Sequence, residues 1–248
     1  MPSSRRPDRR WAALALLALA ACTRPTPPLP TAPAGDPLAT LRARMAGMQT
    51  LRARFTATAQ TQAGERTAAG VLITARPAAL RLRLIAPFGL PVLDYVRRAG
   101  AAWLWLPDPG ADAAAPPGLL LLDRLAVDEA APPDACQAFL VRETLTLYRC
   151  ELPGGARRIL HIDSQTATLR AAEDLTADTP SLRRDYDDYR LVDGVPLPHR
   201  IRLVGAGPIH LEIVVDRWEV NPALPADAFV PAAGAVRVGM QPAALDPQ

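Results

Sequence analysis

Cys22 has the clearest chemical context in this 248-residue sequence. It follows Leu19-Ala20-Ala21, an apolar run closing in small residues that fit a peptidase pocket, and its thiol is a nucleophile able to accept a diacylglyceryl group before cleavage. The remaining chemistry-bearing residues form no constellation. Ser164 and Ser181 are the serines beyond Cys22, and neither lies in a G-x-S-x-G elbow, so an esterase nucleophile has no site. His161, His199 and His210 stand singly, at no metal-ligand spacing, and read as solvent-facing or hydrogen-bonded strand histidines. Asp185, Asp187 and Asp188 interleave with Tyr186 and Tyr189. Strand alternation splits these carboxylates over two faces, which favours a solvated strand edge over a Ca²⁺ site. A glycine-rich phosphate loop is missing. The expectation is a protein that is not an enzyme and uses neither metal nor cofactor.

Charge narrows the partners. All 28 basic residues are arginine, against 25 acidic residues, and Arg5, Arg6, Arg9 and Arg10 crowd with Asp8 into the first ten positions. Without that segment the chain is neutral, so it lacks the basic footprint of a nucleic-acid binder. The basic start, the apolar run 11–21 and the small residues before Cys22 form a secretory signal, too short for a bilayer span of roughly 20 apolar residues.

With Cys22 the signal resembles the lipobox of bacterial lipoproteins. Thr23, rather than Asp, after the cysteine implies by that resemblance the outer membrane, with the body facing the periplasm. Acyl chains there hold a membrane by about 0.8 kcal/mol per buried CH₂. Pro25, Pro27, Pro28, Pro30, Pro33 and Pro37 then bias the chain to extended polyproline II, a spacer between lipid and body. The expected organisation is a signal peptide at 1–21, a lipidated cysteine and tether at 22–37, and one domain at 38–248. In an oxidising envelope compartment Cys136 and Cys150 would close a loop of about 15 residues, worth on the order of 3 kcal/mol. That bridge is favoured over two buried free thiols, and without CxxC or a neighbouring His a metal site is not.

The elements that must position these residues are mostly strands. Asp36 can cap a helix with Pro37 in its first turn, and Leu38, Leu41, Met45 and Met48 recur along one apolar face. Thereafter the period is two. Leu80, Leu82 and Leu84 alternate with Arg81 and Arg83, and Ile209, Leu211, Ile213 and Val215 alternate with mainly polar neighbours. Further strands are expected at 54–62, 69–75, 92–98, 101–106, 143–151, 157–163, 168–174, 181–191 and 199–204. Short turn signals such as Gly154-Gly155 and Asp193-Gly194 favour sequential hairpins. The segment 119–125 reads as a short helix within the Ala- and Pro-rich stretch 107–133. The expected fold is mainly β with a few helices, α+β: a curved antiparallel sheet forming an incomplete barrel with a helical lid and an apolar cavity. Trp103 and Trp105 share one strand face and read as core packing.

The stretch Leu80-Arg81-Leu82-Arg83-Leu84-Ile85-Ala86-Pro87-Phe88-Gly89, with the two strands after it, resembles the LolB family of outer-membrane lipoprotein receptors. A second similar stretch runs from Tyr186-Asp187 through Pro196 and Pro198 to Trp218. The ending Leu224-Pro225-Ala226-Asp227-Ala228-Phe229-Val230-Pro231 suggests the wider LolA/LolB-like carrier superfamily. The resemblance implies an incomplete β-barrel closed by helices, an apolar cavity for the acyl chains of lipoproteins or phospholipid, and receipt of lipoproteins from a periplasmic LolA-like carrier. It places Phe88, with Leu90, at a protruding, membrane-inserting hairpin tip. A bulky ring between Pro87 and Gly89 can wedge into a bilayer or fold back onto the cavity mouth, and the resemblance favours the first. Phe55, Val71, Leu82, Leu84, Leu93, Leu145, Leu211 and Ile213 are the expected cavity lining, in a monomer. The competing expectation is a LolA-like envelope lipoprotein that binds a protein segment or senses stress without transferring lipid.

Overall fold

The computed structural model describes residues 28–61, 64–86, 89–107, 135–152, 155–176, 179–205 and 210–238. Cys22, Phe88 and the expected helix 119–125 lie outside these. The chain opens with helix α1 (Pro37–Ala46), where Asp36 Oδ1 accepts from the Leu38 amide at 3.0 Å and Pro37 occupies the first turn, as their spacing demands. A first meander follows: β1 (Thr50–Thr61), β2 (Gly64–Ala75), β3 (Ala79–Ile85), β4 (Pro91–Arg98) and β5 (Ala101–Trp105). The second comprises β6 (Cys136–Arg142), β7 (Leu145–Glu151), β8 (Arg157–Asp163), β9 (Thr168–Thr176), β10 (Thr179–Val192), β11 (Val195–Gly205) and β12 (His210–Val220). The short β13 (Val236–Val238) ends the described chain.

All thirteen strands join one antiparallel sheet in the order β13-β5-β4-β3-β2-β1-β12-β11-β10-β9-β8-β7-β6. The two meanders meet where β1 pairs with β12, from Leu51 opposite Val220 to Gln60 opposite His210. The sheet does not close into a barrel; among the described residues β13 and β6 are its edges.

Two strands were not anticipated. In β6 most residues are exposed and a bulge falls between Ala138 and Leu140, so no inside-outside alternation marks it. β13 has three residues, too few for a period. Strand β11 begins four residues earlier than expected, through Pro196 and Pro198. Its ladder to β12 starts only at Arg200, so these prolines pair with β10 alone and need no amide for a second neighbour.

One face of the sheet carries the core. Leu51, Ala53 and Phe55 of β1, Leu72 of β2, Leu80 and Leu82 of β3, and Tyr95 of β4 are buried there with Leu160, Ile162, Leu203 and Ile213 from the second meander. The opposite face is covered in part by the chain after β12. Arg81 Nη1 donates to the Ala228 carbonyl at 3.1 Å, while Arg81 and Arg83 both bond Asp94. Trp103 and Trp105 lie on that outer face, half-buried, whereas Leu104 between them enters the core, which corrects the expectation that the tryptophans pack in it. Cys136 and Cys150 pair across β6 and β7 and are joined by a disulfide, which ties the edge strand to its neighbour.

Phe55 lies opposite Gly70 and its ring covers the glycine: a Cβ at Gly70 would fall 2.2 Å from Phe55 Cζ. With Phe55 buried in the core, the ring can yield only by moving its neighbours. Gly70→Ala is expected to destabilise the domain by about 1–3 kcal/mol, and combining it with Phe55→Leu should cost less than the sum of the two changes. Urea unfolding of the four proteins of this cycle measures the coupling; strict additivity would contradict the contact.

Candidate functional site

Helix α1 lies over the inner face beside β8 and β9. At its start the Tyr148 hydroxyl donates to Asp36 Oδ1, and burial followed by that bond pushes the phenol up to about 12, so it remains a donor at neutral pH. Near its end Arg44 Nη1 donates to the carbonyls of Thr166 and Ala167 at 2.7 and 3.2 Å. Those carbonyls belong to the β8–β9 turn, which Asp163 organises by accepting from the Gln165 and Thr166 amides and the Thr166 hydroxyl. Burial works against the Asp163 charge, yet these bonds and Arg170 hold its carboxyl below the usual range.

Between α1 and the sheet is an apolar pocket of about 60 Å³. Leu41, Met45 and Met48 form its roof, and Leu169, Tyr186, Tyr189, Leu197 and Ile201 its floor, with Val195, Pro196 and Pro198 at the β10–β11 hairpin. Its polar groups are already engaged. The Tyr189 hydroxyl donates to the Leu169 carbonyl, and burial raises that phenol well above its ordinary value. The pocket is far smaller than the roughly 300–1,000 Å³ of small-molecule sites, so an acyl chain enters it only if α1 lifts.

Five expected lining residues, Phe55, Leu82, Leu93, Leu211 and Ile213, come together in the buried inner core, with Leu84 packed against them. They continue the pocket's face into the first meander but do not line the pocket itself. Val71 is on the outer face, because Gly70 beneath Phe55 takes the inner position. There it lines a second cavity, of about 360 Å³, with Ile73, Arg81, Arg83, Ile85, Pro225, Asp227 and Ala228. Leu145 is also turned away, since Thr146, Tyr148 and Cys150 occupy the inner positions of β7. Leu90 is 64% exposed, at a tip where the Ala86 amide donates to its carbonyl at 2.8 Å.

Sequence reasoning missed the pocket floor. Tyr186 and Tyr189 are three apart, an odd spacing for one strand face, and Asp188 between them has φ 51°, outside the extended region, which interrupts the alternation of faces there. Asp185, Asp187 and Asp188 are paired with Arg183, Arg202 and Arg190, and no cluster able to hold a metal occurs among the described residues. A second unanticipated group sits on the inner face. Asp174 accepts from Arg158 at 2.6 and 3.1 Å and from Arg184 Nη2 at 2.8 Å, and all three side chains are buried.

The sequence matches no protein-family model and no curated protein. The fold is shared with solved structures at low identity. A DUF1329 family protein from Desulfovibrio piger superposes with a TM-score of 0.57 at 11% identity, over 79% of this chain and 98% of that one. A LolA superfamily protein from Nitrosomonas europaea gives 0.57 at 10% identity, over 79% and 99%. An outer membrane lipoprotein-sorting protein domain from Vibrio parahaemolyticus gives 0.54 at 11%, over 78% and 94%. The chain thus shares the fold of these three structures.

His199 is the one buried histidine. Its Nδ1 lies 2.7 Å from the Val215 carbonyl, which makes it the donor, and Nε2 has no partner. Burial lowers its pKa from 6.5, outweighing the bond to Val215, so the folded state holds the neutral ring. This preference contributes stability above about pH 6.5 and loses it as pH falls from there through the lowered folded value. Urea midpoints should therefore drop between pH 7.5 and pH 5 more steeply in the wild type than in His199→Gln. Parallel pH profiles for the two proteins would show that His199 does not titrate this way.

Proposed function

We propose that this chain is an outer-membrane lipoprotein, anchored through Cys22 and the tether 22–37. Its inner face receives the acyl chains of lipoproteins or phospholipid and assists their transfer into the membrane. The observation that carries the reading is the apolar pocket under α1, continuous with an apolar inner face on an open sheet. The LolA-superfamily architecture and the lipobox-like signal support it. Side-chain bonds from Tyr148 to Asp36 and from Arg44 to the β8–β9 turn seat α1 outside any strand ladder, so a bound chain that lifts the helix gains apolar contact without unfolding a strand. In this reading Leu90 and Phe88 meet the bilayer at the β3–β4 tip, and a LolA-like periplasmic carrier delivers the cargo. No chemical step is required of the protein.

A second reading has its own support. The edge strand β6 exposes Phe139 at 44% and Val141 at 68%, the arrangement that lets an extended peptide add to a sheet. A LolA-like envelope module that binds a protein segment there would transfer no lipid.

Native mass spectrometry of the full-length protein, followed by denaturing lipid analysis, separates the two. The transfer reading expects a reproducible increment of one phospholipid or lipopeptide beyond the protein's own anchor. An empty protein that also takes up no fluorescent fatty acid would remove it and leave the edge-strand reading. Replacing Leu90 or Phe88 by Glu should leave the melting temperature and the retained lipid unchanged while abolishing lipoprotein delivery to vesicles; normal delivery by both variants would remove the tip from the mechanism.

A further inference from the structure

Arg184 is fully buried on the inner face of β10, and its surroundings do not explain its charge. Only Nη2 is bonded, to Asp174; Nε and Nη1 are buried without a partner. Asp174 is already shared with Arg158, whose Nε and Nη2 reach both of its oxygens. The residues opposite Arg184 in the ladder are Leu203 and Ala172, which offer no side-chain acceptor. Unsatisfied buried donors on a cation are among the most costly groups a core can hold, and a native protein that keeps them calls for a reason.

Position supplies one. Arg184 precedes Tyr186 by two residues on the same face, and Tyr186 pairs with Ile201; both belong to the pocket floor under α1. The Cα of Arg184 thus lies about 7 Å along the strand from that of Tyr186, while its Nη2 reaches Asp174 opposite Leu182. An apolar pocket with a desolvated cation one step beyond it matches a molecule with an acyl chain and an anionic head.

We infer that the cargo of the inner face is an anionic amphiphile, a carboxylate or phosphate whose oxygens accept from Arg184 Nε and Nη1 while its chain runs past Tyr186 and Ile201 toward α1. The inference rests on the acyl-binding reading and narrows it. The uncharged diacylglyceryl group of a lipoprotein would leave Arg184 unsatisfied, whereas a fatty acid or a phospholipid phosphate would not.

The test compares ligands that differ only in the head. Full-length protein in a non-ionic detergent is titrated with the fluorescent cis-parinaric acid and with its methyl ester, and dipalmitoyl phosphatidate, palmitate and the uncharged dipalmitoylglycerol are then used as competitors. The wild type should bind the acid at least tenfold tighter than the ester. Arg184→Met should bring the acid down to the ester's affinity, leave the ester unchanged, and melt no lower than the wild type, because the charge it removes is incompletely paired. A purely structural Arg184 would instead lower the melting temperature without changing the acid-to-ester ratio. Stronger competition by phosphatidate than by palmitate assigns the head to a phospholipid, and the reverse assigns it to a fatty acid. Equal wild-type affinity for acid and ester overturns the anionic-head inference and leaves acyl binding standing. Binding of neither overturns the acyl reading itself. The wild-type comparison decides even if the variant fails to fold.

Discussion

The pairing of β1 with β12 is the constraint on which the rest of the molecule depends. It joins two meanders that are otherwise built from neighbouring hairpins, across about 160 residues of chain. Its end is fixed by Asn221, whose φ of 51° suits an Asn better than most residues. Asn221 Oδ1 accepts from the Gln49 and Thr50 amides at 2.7 and 3.3 Å, its own amide donates to the Thr50 carbonyl at 2.8 Å, and Nδ2 donates to the Gly47 carbonyl at 3.0 Å. One side chain therefore sets the end of α1, the start of β1 and the end of β12 together. The seat of α1 over the pocket follows from the register of a strand pair that does not touch the pocket.

Because this contact is the least local in the fold, it carries the largest loop-closure cost, whereas each hairpin needs only its own turn. The apolar surface it brings together offsets that cost. Leu51, Ala53, Phe55 and Ala57 meet Val215, Trp218, Ile213 and Leu211 in one stripe, and the Trp218 indole donates to the Pro198 carbonyl at 2.8 Å. That last bond links the junction to the hairpin at the pocket's edge. The register shift between Arg54 and Phe55 leaves Asp216 of β12 as an extra residue, a bulge that increases the local twist where the two meanders meet.

Most strands were legible because their period of two is strong wherever one face is buried, as in Leu80, Leu82 and Leu84. The start of α1 was legible because Asp36 and Pro37 do local chemistry. What escaped depended on partners far away in sequence. Strand β6 has an exposed edge and so no alternation, and β13 exists only because β5 offers it an edge. The inner or outer position of Val71 was decided by Gly70, and a sequence pattern that scores side chains passes over a residue without one. Likewise Trp103 and Trp105 are the bulkiest residues of their strand, yet the chain after β12 makes room for them outside. The pocket floor needed the left-handed turn of the backbone at Asp188, which takes Tyr189 out of the phase that Tyr186 would predict. Apolar residues of the core could be listed from pattern; which of them surround a void could not, because that depends on where α1 rests.

The two faces of the sheet carry the same trio in different circumstances. On the outer face Arg81 and Arg83 share Asp94, and the chain after β12 supplies the Ala228 carbonyl to complete Arg81 while half of Arg83 stays in water. Every charge there has either a partner or solvent, and the arrangement fastens the chain end to the sheet. On the inner face Arg158 and Arg184 share Asp174, and Arg184 has neither solvent nor a completed set of acceptors. Replacing such a group by a well-packed apolar residue is often neutral or stabilising, so folding alone gives no reason to retain it. The outer trio is explained by the fold it fastens, whereas the inner one leaves two buried donors of Arg184 without an acceptor, which is the opening that the proposed anionic head would fill.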